Sequence, residues 1–186
     1  MTNLHNVDWS QIPAPKDDGG ADHLQGLALP HVTLMASNGQ EVRLADLRGR
    51  TVVYAYPMTG TPGTPLPDGW DMIPGARGCT PQSCAFRDHA AELNALGVRQ
   101  LYGLSTQTNA AQREAAERLH LPFLLLSDRD CILADAMRLP MFSVDDQRMI
   151  RRVTLVIDDG RVSQVFYPVF PPDEAAATVV RWLRDV

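Results

Sequence analysis

Residues 51–57, TVVYAYP, are the stretch on which the fold prediction depends. Most of these side chains are β-branched or aromatic, none is charged, and a proline follows directly. A short apolar run of this kind, bounded by a turn residue, is typical of a strand buried on both faces of a sheet. The stretch therefore predicts a central strand.

Segments on either side extend this strand into an α/β pattern. Upstream, residues 32–35 and 42–44 are separated by Asn38-Gly39, which predicts a β-hairpin. Downstream, Thr80 as N-cap and Pro81 in the first turn begin a helix that ends at Gly97. The remaining predicted elements are strands at 101–104 and 122–126, helices at 110–119 and about 131–137, a hairpin of 153–157 with 162–167, and a helix at 173–184. We expect a central mixed β-sheet flanked by helices, with an N-terminal β-hairpin extension, a class that includes the thioredoxin-like fold.

Length and charge limit the possible functions. The 186 residues suit one domain, which we place at residues 28–186, after a polar N-terminal surface arm at 1–27 with at most a short turn or two. The net charge of −5, without a basic cluster, argues against nucleic acid or an anionic membrane as partner. No apolar stretch has the length of a membrane span or the place of a signal peptide, so we expect a cytoplasmic protein. Three cysteines without clustered histidines fit neither a disulfide framework nor a closed metal site.

Two of the cysteines lie at the predicted start of a helix. Cys79 falls just before or within the first turn, where free backbone N–H groups and the helix dipole favour a thiolate, and Arg77 adds positive charge. A thiolate attacks a peroxide oxygen and becomes a sulfenic acid, which a neighbouring thiol such as Cys84 can resolve. The alternative is that both are small apolar core residues, which is how we interpret Cys131.

The spacing of Cys79 and Cys84 leaves two arrangements open. If both are helical, their Cα atoms lie about 8.6 Å apart, and the first turn has to unwind before a disulfide can form. If Thr80 is the N-cap, the two cysteines occupy the N′ and N4 positions, which pack together, and less movement is needed.

Residues 79–88, CTPQSCAFRD, resemble the active-site helix of the Q-type peroxiredoxins, also called bacterioferritin comigratory proteins. The resemblance continues in family order through Tyr56-Pro57, Leu104-Ser105, residues 121–128 (LPFLLLSD) and residues 152–158 (RVTLVID). It covers roughly residues 28 to 168, and the ordered set is far more specific than any one piece.

This resemblance implies a role for each matching residue. Cys79 is expected to be the peroxidatic cysteine and Cys84 the resolving cysteine, joined in an intramolecular disulfide. Arg152 is expected to hold a positive charge near the thiolate and the peroxide, since arginine stays charged and offers fixed donors. The alternative for Arg152 is a solvated strand-end charge, the role we expect for Arg151. Pro57 belongs to the same catalytic pattern. The family implies hydrogen peroxide or organic hydroperoxides as substrate and a thioredoxin-like dithiol reductant. From the residues we expect no cofactor or metal, and the sequence leaves open whether the protein is a monomer or a homodimer.

The chain departs from the family pattern just before Cys79. The family runs Pro-x-x-x-Thr-Pro-Gly directly into the peroxidatic cysteine, whereas here residues 57–63 (PMTGTPG) supply the pattern and residues 64–78, the inserted segment, intervene. Ala76 stands where the family has threonine. The hydroxyl is therefore expected from Thr61 across a folded-back loop, or is absent. The inserted segment is either a lid that shapes access for a bulky peroxide or a reductant, or a loop packed on the domain by Trp70.

Three functions are compatible with these features of the sequence. The leading hypothesis is a two-cysteine peroxidase. The second is a dithiol redox sensor or thiol–disulfide exchange protein without significant peroxidase turnover, which a slow reaction of Cys79 with peroxide would favour. The third is a non-catalytic binding module, for which Cys79→Ser would have no functional consequence.

Overall fold

The computed structural model describes residues 7–186, so residues 1–6 of the predicted arm lie outside the described part. Its strands are β1 (Leu34–Ala36), β2 (Glu41–Val42), β3 (Arg50–Ala55), β4 (Val98–Ser105), β5 (Leu124–Ser127), β6 (Met141–Val144), β7 (Gln147–Ile150), β8 (Val153–Asp158) and β9 (Arg161–Phe166). Seven of them form one mixed sheet in the order β2-β1-β5-β4-β3-β8-β9. Strand β3 pairs parallel with β4 and antiparallel with β8. The predicted central strand is therefore confirmed.

Helices cover both faces of this sheet. They are α1 (Cys79–Asp88), α2 (Ala90–Ala95), α3 (Asn109–Arg118), α4 (Ile132–Met137) and α5 (Ala175–Arg184). Alternate residues of β3 enter two separate cores: Tyr54 packs in one with Phe86 of α1, and Val53 packs in the other with Leu133 of α4. Because successive side chains of a strand point to opposite faces, β3 supports both layers. The mixed α/β class with a central sheet flanked by helices is confirmed.

The structure contains a hairpin that the turn residues predicted and another that they did not. The hairpin predicted across Asn38-Gly39 forms from β1 and β2, and β1 joins the main sheet through β5. The hairpin of β6 and β7 was not predicted. Its turn residues, Asp145 and Asp146, both adopt positive φ, of 48° and 61°. This two-residue turn normally carries Asn-Gly or Asp-Gly, so an Asp-Asp pair gives only a weak hairpin signal.

The helix predicted from Thr80 to Gly97 is corrected at both its start and its middle. Gly78 is the N-cap, with φ 107°, and Cys79 is the first helical residue. The prediction that Thr80 is the N-cap was wrong, because the left-handed glycine lets the helix begin one residue before Thr80. The backbone also leaves the helical conformation at His89, which separates α1 from α2. Phe86 and Leu93 are both buried, so the apolar face continues across the break and periodicity alone does not reveal it.

The segment before β1 runs along the domain with two short 3-10 turns, Trp9–Gln11 and Asp22–Leu24. Leu24 is fully buried in the core on the α4 side. Ala28 forms an isolated bridge to Arg161 at the end of the sheet. Within residues 7–186, none of the helices combines the length and apolar character needed to cross a bilayer.

Candidate active site

Cys79 occupies the first turn of α1, where it is 3% exposed. Gly78 brings the inserted segment into this turn with a left-handed backbone, which only glycine adopts freely. A Cβ at residue 78 would also lie 2.6 Å from Pro172 Cγ, so no side chain fits there. The Cys79 thiol lies 3.6 Å from the Ala76 carbonyl oxygen, to which it donates. The helix start thus holds the sulfur at the end of the helix where free N–H groups favour negative charge.

Arg152 brings a buried positive charge to this sulfur. Its Nη2 lies 3.4 Å from Cys79 Sγ, and the residue is only 2% exposed. The same nitrogen donates to the carbonyl oxygens of Gly75, Ala76 and Arg77, at 3.1–3.3 Å. One guanidinium therefore connects the end of the inserted segment to the cysteine.

The strand pattern explains why Arg152, and not its neighbour, reaches the cysteine. Arg152 directly precedes β8, next to β3 in the middle of the sheet. Arg151 faces the opposite way, and its guanidinium lies 5.5 Å from the centroid of the Phe142 ring. Adjacent residues of an extended chain point to opposite sides, as the sequence led us to expect for this pair.

Gln82 is a site residue that the sequence analysis missed. It is fully buried, and its Oε1 accepts a hydrogen bond from Arg152 Nη1. A signal was available, because Cys79, Gln82 and Phe86 are spaced i, i+3, i+7 and so share one helix face. A glutamine on an otherwise apolar face needs polar partners inside the protein, and Arg152 supplies one for its side-chain oxygen.

Two tyrosines of the central strand region lie under the helix start. Tyr54 stacks on Phe86 with ring centroids 4.3 Å apart, and its hydroxyl lies 3.1 Å from Ser83 Oγ. Burial raises the pKa of Tyr54 and of Tyr56, and the nearby Cys79 adds to both shifts. Both phenols therefore remain neutral at physiological pH and add no negative charge beside the cysteine.

Cys84 lies on the same helix as Cys79 but on another face. Both residues are helical, so the arrangement that requires unwinding is the one present, with Cα atoms about 8.6 Å apart and side chains turned by about 140°. All three cysteines are free thiols. Burial raises the pKa of Cys84, partly offset by Arg87, and burial also raises the pKa of Cys131. These two side chains therefore stay protonated at neutral pH, so neither competes with Cys79 as a nucleophile.

An apolar cleft of about 420 Å³ opens onto Cys79. The inserted segment forms one wall through Leu66 and Trp70, and Met58 contributes from the preceding loop. Trp70 is 4% exposed and packs near Phe142, with ring centroids 6.4 Å apart. The inserted segment is therefore both packed on the domain by Trp70 and placed at the entrance to the cysteine.

Of the other predicted site residues, Thr61 and Arg77 lie at the cleft that opens onto Cys79, and Pro57 does not. Thr61 is exposed and lines the same cleft as Cys79, which agrees with a loop that folds back. Pro57 is buried at the exit of β3 and is not among the residues lining the cleft. Arg77 also lines the cleft, but it forms an ion pair of 2.7 Å with Asp71. Its predicted addition of positive charge near the thiolate is therefore largely cancelled.

The described residues contain no group of three or more His, Cys, Asp or Glu side chains that could hold a metal ion.

Known proteins share this architecture and sequence pattern. A family profile described as Redoxin matches residues 24–180. Peroxiredoxin Bcp of Escherichia coli K12 is 32% identical over 161 residues, which are 84% of this chain and 92% of that protein. The chloroplastic Peroxiredoxin Q of Oryza sativa subsp. japonica is 30% identical over 166 residues, 87% of this chain and 67% of that protein. The crystal structure of peroxidoxin BcpB from Mycobacterium tuberculosis superposes with a TM-score of 0.69 at 27% identity, covering 87% of this chain and 97% of that one.

Proposed function

Since the chain belongs to the redoxin family, among the Bcp and Q-type peroxiredoxins, we propose that this thiol peroxidase uses Cys79 as its peroxidatic cysteine and Cys84 as its resolving cysteine. The observation that carries the proposal is the 3.4 Å contact between Arg152 Nη2 and Cys79 Sγ at a helix start. A thioredoxin-like dithiol protein would then reduce the disulfide.

In the first step the Cys79 thiolate attacks one oxygen of a hydroperoxide ROOH. The S–O bond forms as the O–O bond breaks, and the departing RO⁻ takes a proton, so the products are Cys79–SOH and ROH. The Arg152 guanidinium stabilises the thiolate before attack and keeps a positive charge beside the reacting sulfur as negative charge develops on the departing oxygen. Gln82 and the carbonyls of residues 75–77 keep this guanidinium in place.

In the second step the Cys84 sulfur attacks the sulfur of Cys79–SOH. The disulfide forms and water leaves, taking the hydroxyl of the sulfenic acid and the proton of the Cys84 thiol. Because both cysteines are helical and too far apart to bond, the first turn of α1 has to unwind for this step.

Replacing Cys84 with serine is expected to stop the second step and leave the first unchanged. Cys84 is buried away from the cleft, so the reaction of Cys79 with peroxide should keep its rate. Mass spectrometry after one equivalent of peroxide should find Cys79 sulfenic acid in the variant and a Cys79–Cys84 disulfide in the wild type. A disulfide between Cys79 and Cys131 in the wild type would assign the resolving role to Cys131 and contradict the proposal.

The second candidate function is a redox sensor without significant turnover. It is favoured by the absence of a threonine from the position just before Cys79 where the family has one. Ala76, which supplies only its carbonyl to the Cys79 thiol, stands where the family has a hydroxyl. The exposed Thr61 is the residue that could supply it from across the cleft. Steady-state turnover with a thioredoxin system decides between the two: sustained peroxide consumption supports the peroxidase, and a single stoichiometric oxidation supports the sensor.

We expect the inserted segment to favour apolar organic hydroperoxides over hydrogen peroxide, as an extension of the lid hypothesis. Changing Leu66 to aspartate puts a charge on the apolar cleft wall, at a side chain that is 44% exposed and so tolerates the change. The variant should lose about tenfold in kcat/KM for cumene hydroperoxide and change little with hydrogen peroxide, since only the first substrate buries a hydrocarbon group there.

The matched control is Met72→Asp, in the same inserted segment but 68% exposed and not among the residues lining the cleft. This variant should leave kcat/KM for both peroxides unchanged. Equal losses for the two peroxides in Leu66→Asp would show that the segment supports the site without selecting the substrate.

A further inference from the structure

The start of α1 is held between two parts of the chain that come from far apart in sequence. Gly78, the N-cap, packs so closely that a Cβ there would lie 2.6 Å from Pro172 Cγ and 2.7 Å from Trp9 Cη2. Pro172 belongs to the turn Pro172–Glu174 just before α5, and Trp9 belongs to the turn Trp9–Gln11 near the N-terminus. The residue adjacent to Cys79 is therefore in contact with both.

Trp9 is itself fixed to the C-terminal part of the domain. Its indole Nε1 donates to Asp173 Oδ2 at 2.8 Å. Its ring meets Phe170 edge to face, with centroids 6.1 Å apart at 78°. Because Asp173 directly follows Pro172, these contacts hold the Trp9 ring and the Pro172 ring against the same residue, Gly78. Trp9 is not among the residues that line the cleft at Cys79.

We infer that Trp9 is a positioning residue for the resolving step, because it clamps α1 in its helical form and slows the unwinding that brings Cys79 to Cys84. This inference rests on the proposed Cys79–Cys84 disulfide. The contacts of Trp9 with Gly78 exist when the first turn is intact and are lost when Gly78 and Cys79 move away. An interaction present in the starting state and absent from the transition state raises the barrier between them.

The rate at which α1 unwinds has a chemical consequence, because the Cys79 sulfenic acid can react in two ways. It forms the disulfide when Cys84 reaches it, with loss of water. Otherwise a second ROOH transfers an oxygen to it, giving Cys79 sulfinic acid and ROH, and the enzyme is inactivated. Slow unwinding lengthens the time available for the second reaction. Trp9 therefore helps to set the peroxide concentration at which the enzyme inactivates itself.

The test separates the two steps in wild type, Trp9→Ala and Trp9→Phe. Samples are mixed with hydrogen peroxide, quenched with a thiol-alkylating reagent at intervals, and analysed by mass spectrometry for sulfenic acid, disulfide and sulfinic acid. Trp9→Ala should oxidise Cys79 at the wild-type rate but form the disulfide about 3- to 10-fold faster, since it removes a packing contact on Gly78 that is present only while the first turn is intact. It should also yield less sulfinic acid at high peroxide. Trp9→Phe keeps an aromatic ring at this position without the indole hydrogen bond. Its rate of disulfide formation should lie between the rates of the wild type and Trp9→Ala.

The matched control is Trp182→Ala. Trp182 is also a half-buried tryptophan in an edge-to-face pair, with Phe166, but it lies on α5 away from Gly78. This variant should form the disulfide at the wild-type rate. An unchanged rate in Trp9→Ala, or the same acceleration in Trp182→Ala, would overturn the clamp. If the wild type itself forms no Cys79–Cys84 disulfide, it is the proposed function that fails, and the clamp fails with it.

Discussion

Replacing Cys79 with serine is expected to lower the peroxidase kcat/KM by more than about 10³-fold, because a serine hydroxyl is not ionised at neutral pH and cannot replace the thiolate. The exchange removes only the sulfur, so the packing around the helix start should be largely kept. Peroxide consumption coupled to a thioredoxin system measures the loss. Circular dichroism of the variant should match that of the wild type.

The control for this prediction is Cys131→Ser. Cys131 is also a buried free thiol, but it precedes α4 in the other core of the domain. Its replacement should leave peroxidase activity within about twofold of wild type. Equal losses in the two variants would point to a general effect of removing buried thiols and would count against the special role of Cys79.

Changing Arg152 to methionine is expected to slow the oxidation of Cys79 by about 10²- to 10³-fold. The methionine keeps much of the volume but removes the charge next to Sγ and the donors to the carbonyls of residues 75–77. Loss of one preorganised donor at developing charge typically costs a factor of this size. Arg152→Lys should recover only part of the rate, since lysine supplies the charge without the planar fork that bridges Gln82 and the cysteine.

Arg151→Met is the neighbouring control. Arg151 carries the same charge one residue earlier, but it lies over the Phe142 ring and not near the cysteine. Stopped-flow oxidation should give the wild-type rate for this variant. If Arg151→Met were as slow as Arg152→Met, the effect would come from the net charge of the region and not from the contact with Cys79.

Much of the fold could be predicted because its signals are local. The apolar run at residues 51–57 and the turn residues Asn38-Gly39 depend only on near neighbours in sequence, and both predictions are confirmed. The hairpin of β6 and β7 was missed because Asp145-Asp146 is an uncommon pair for its turn. The helix break at His89 was missed because the apolar spacing continues through it.

The site was harder to predict because its contacts join distant parts of the chain. The resemblance pointed to both Cys79 and Arg152, which are 73 residues apart and in contact. It gave no indication that the inserted segment would supply three backbone carbonyls to Arg152, since a backbone acceptor leaves no trace in residue type. Nor could the sequence place Trp9 against Gly78, because the glycine that permits this contact carries no side chain to pair with.

The central claim is that Cys79 is an activated nucleophile resolved by Cys84, and the rate of Cys79 oxidation by hydrogen peroxide tests it most directly. Stopped-flow tryptophan fluorescence gives the rate, and mass spectrometry of wild type and Cys84→Ser identifies the products. We predict oxidation far faster than that of an ordinary free cysteine, with a Cys79–Cys84 disulfide in the wild type and sulfenic acid in the variant. A rate equal to that of an ordinary thiol would contradict the claim and would mean that the inserted segment has separated Cys79 from the hydroxyl it needs.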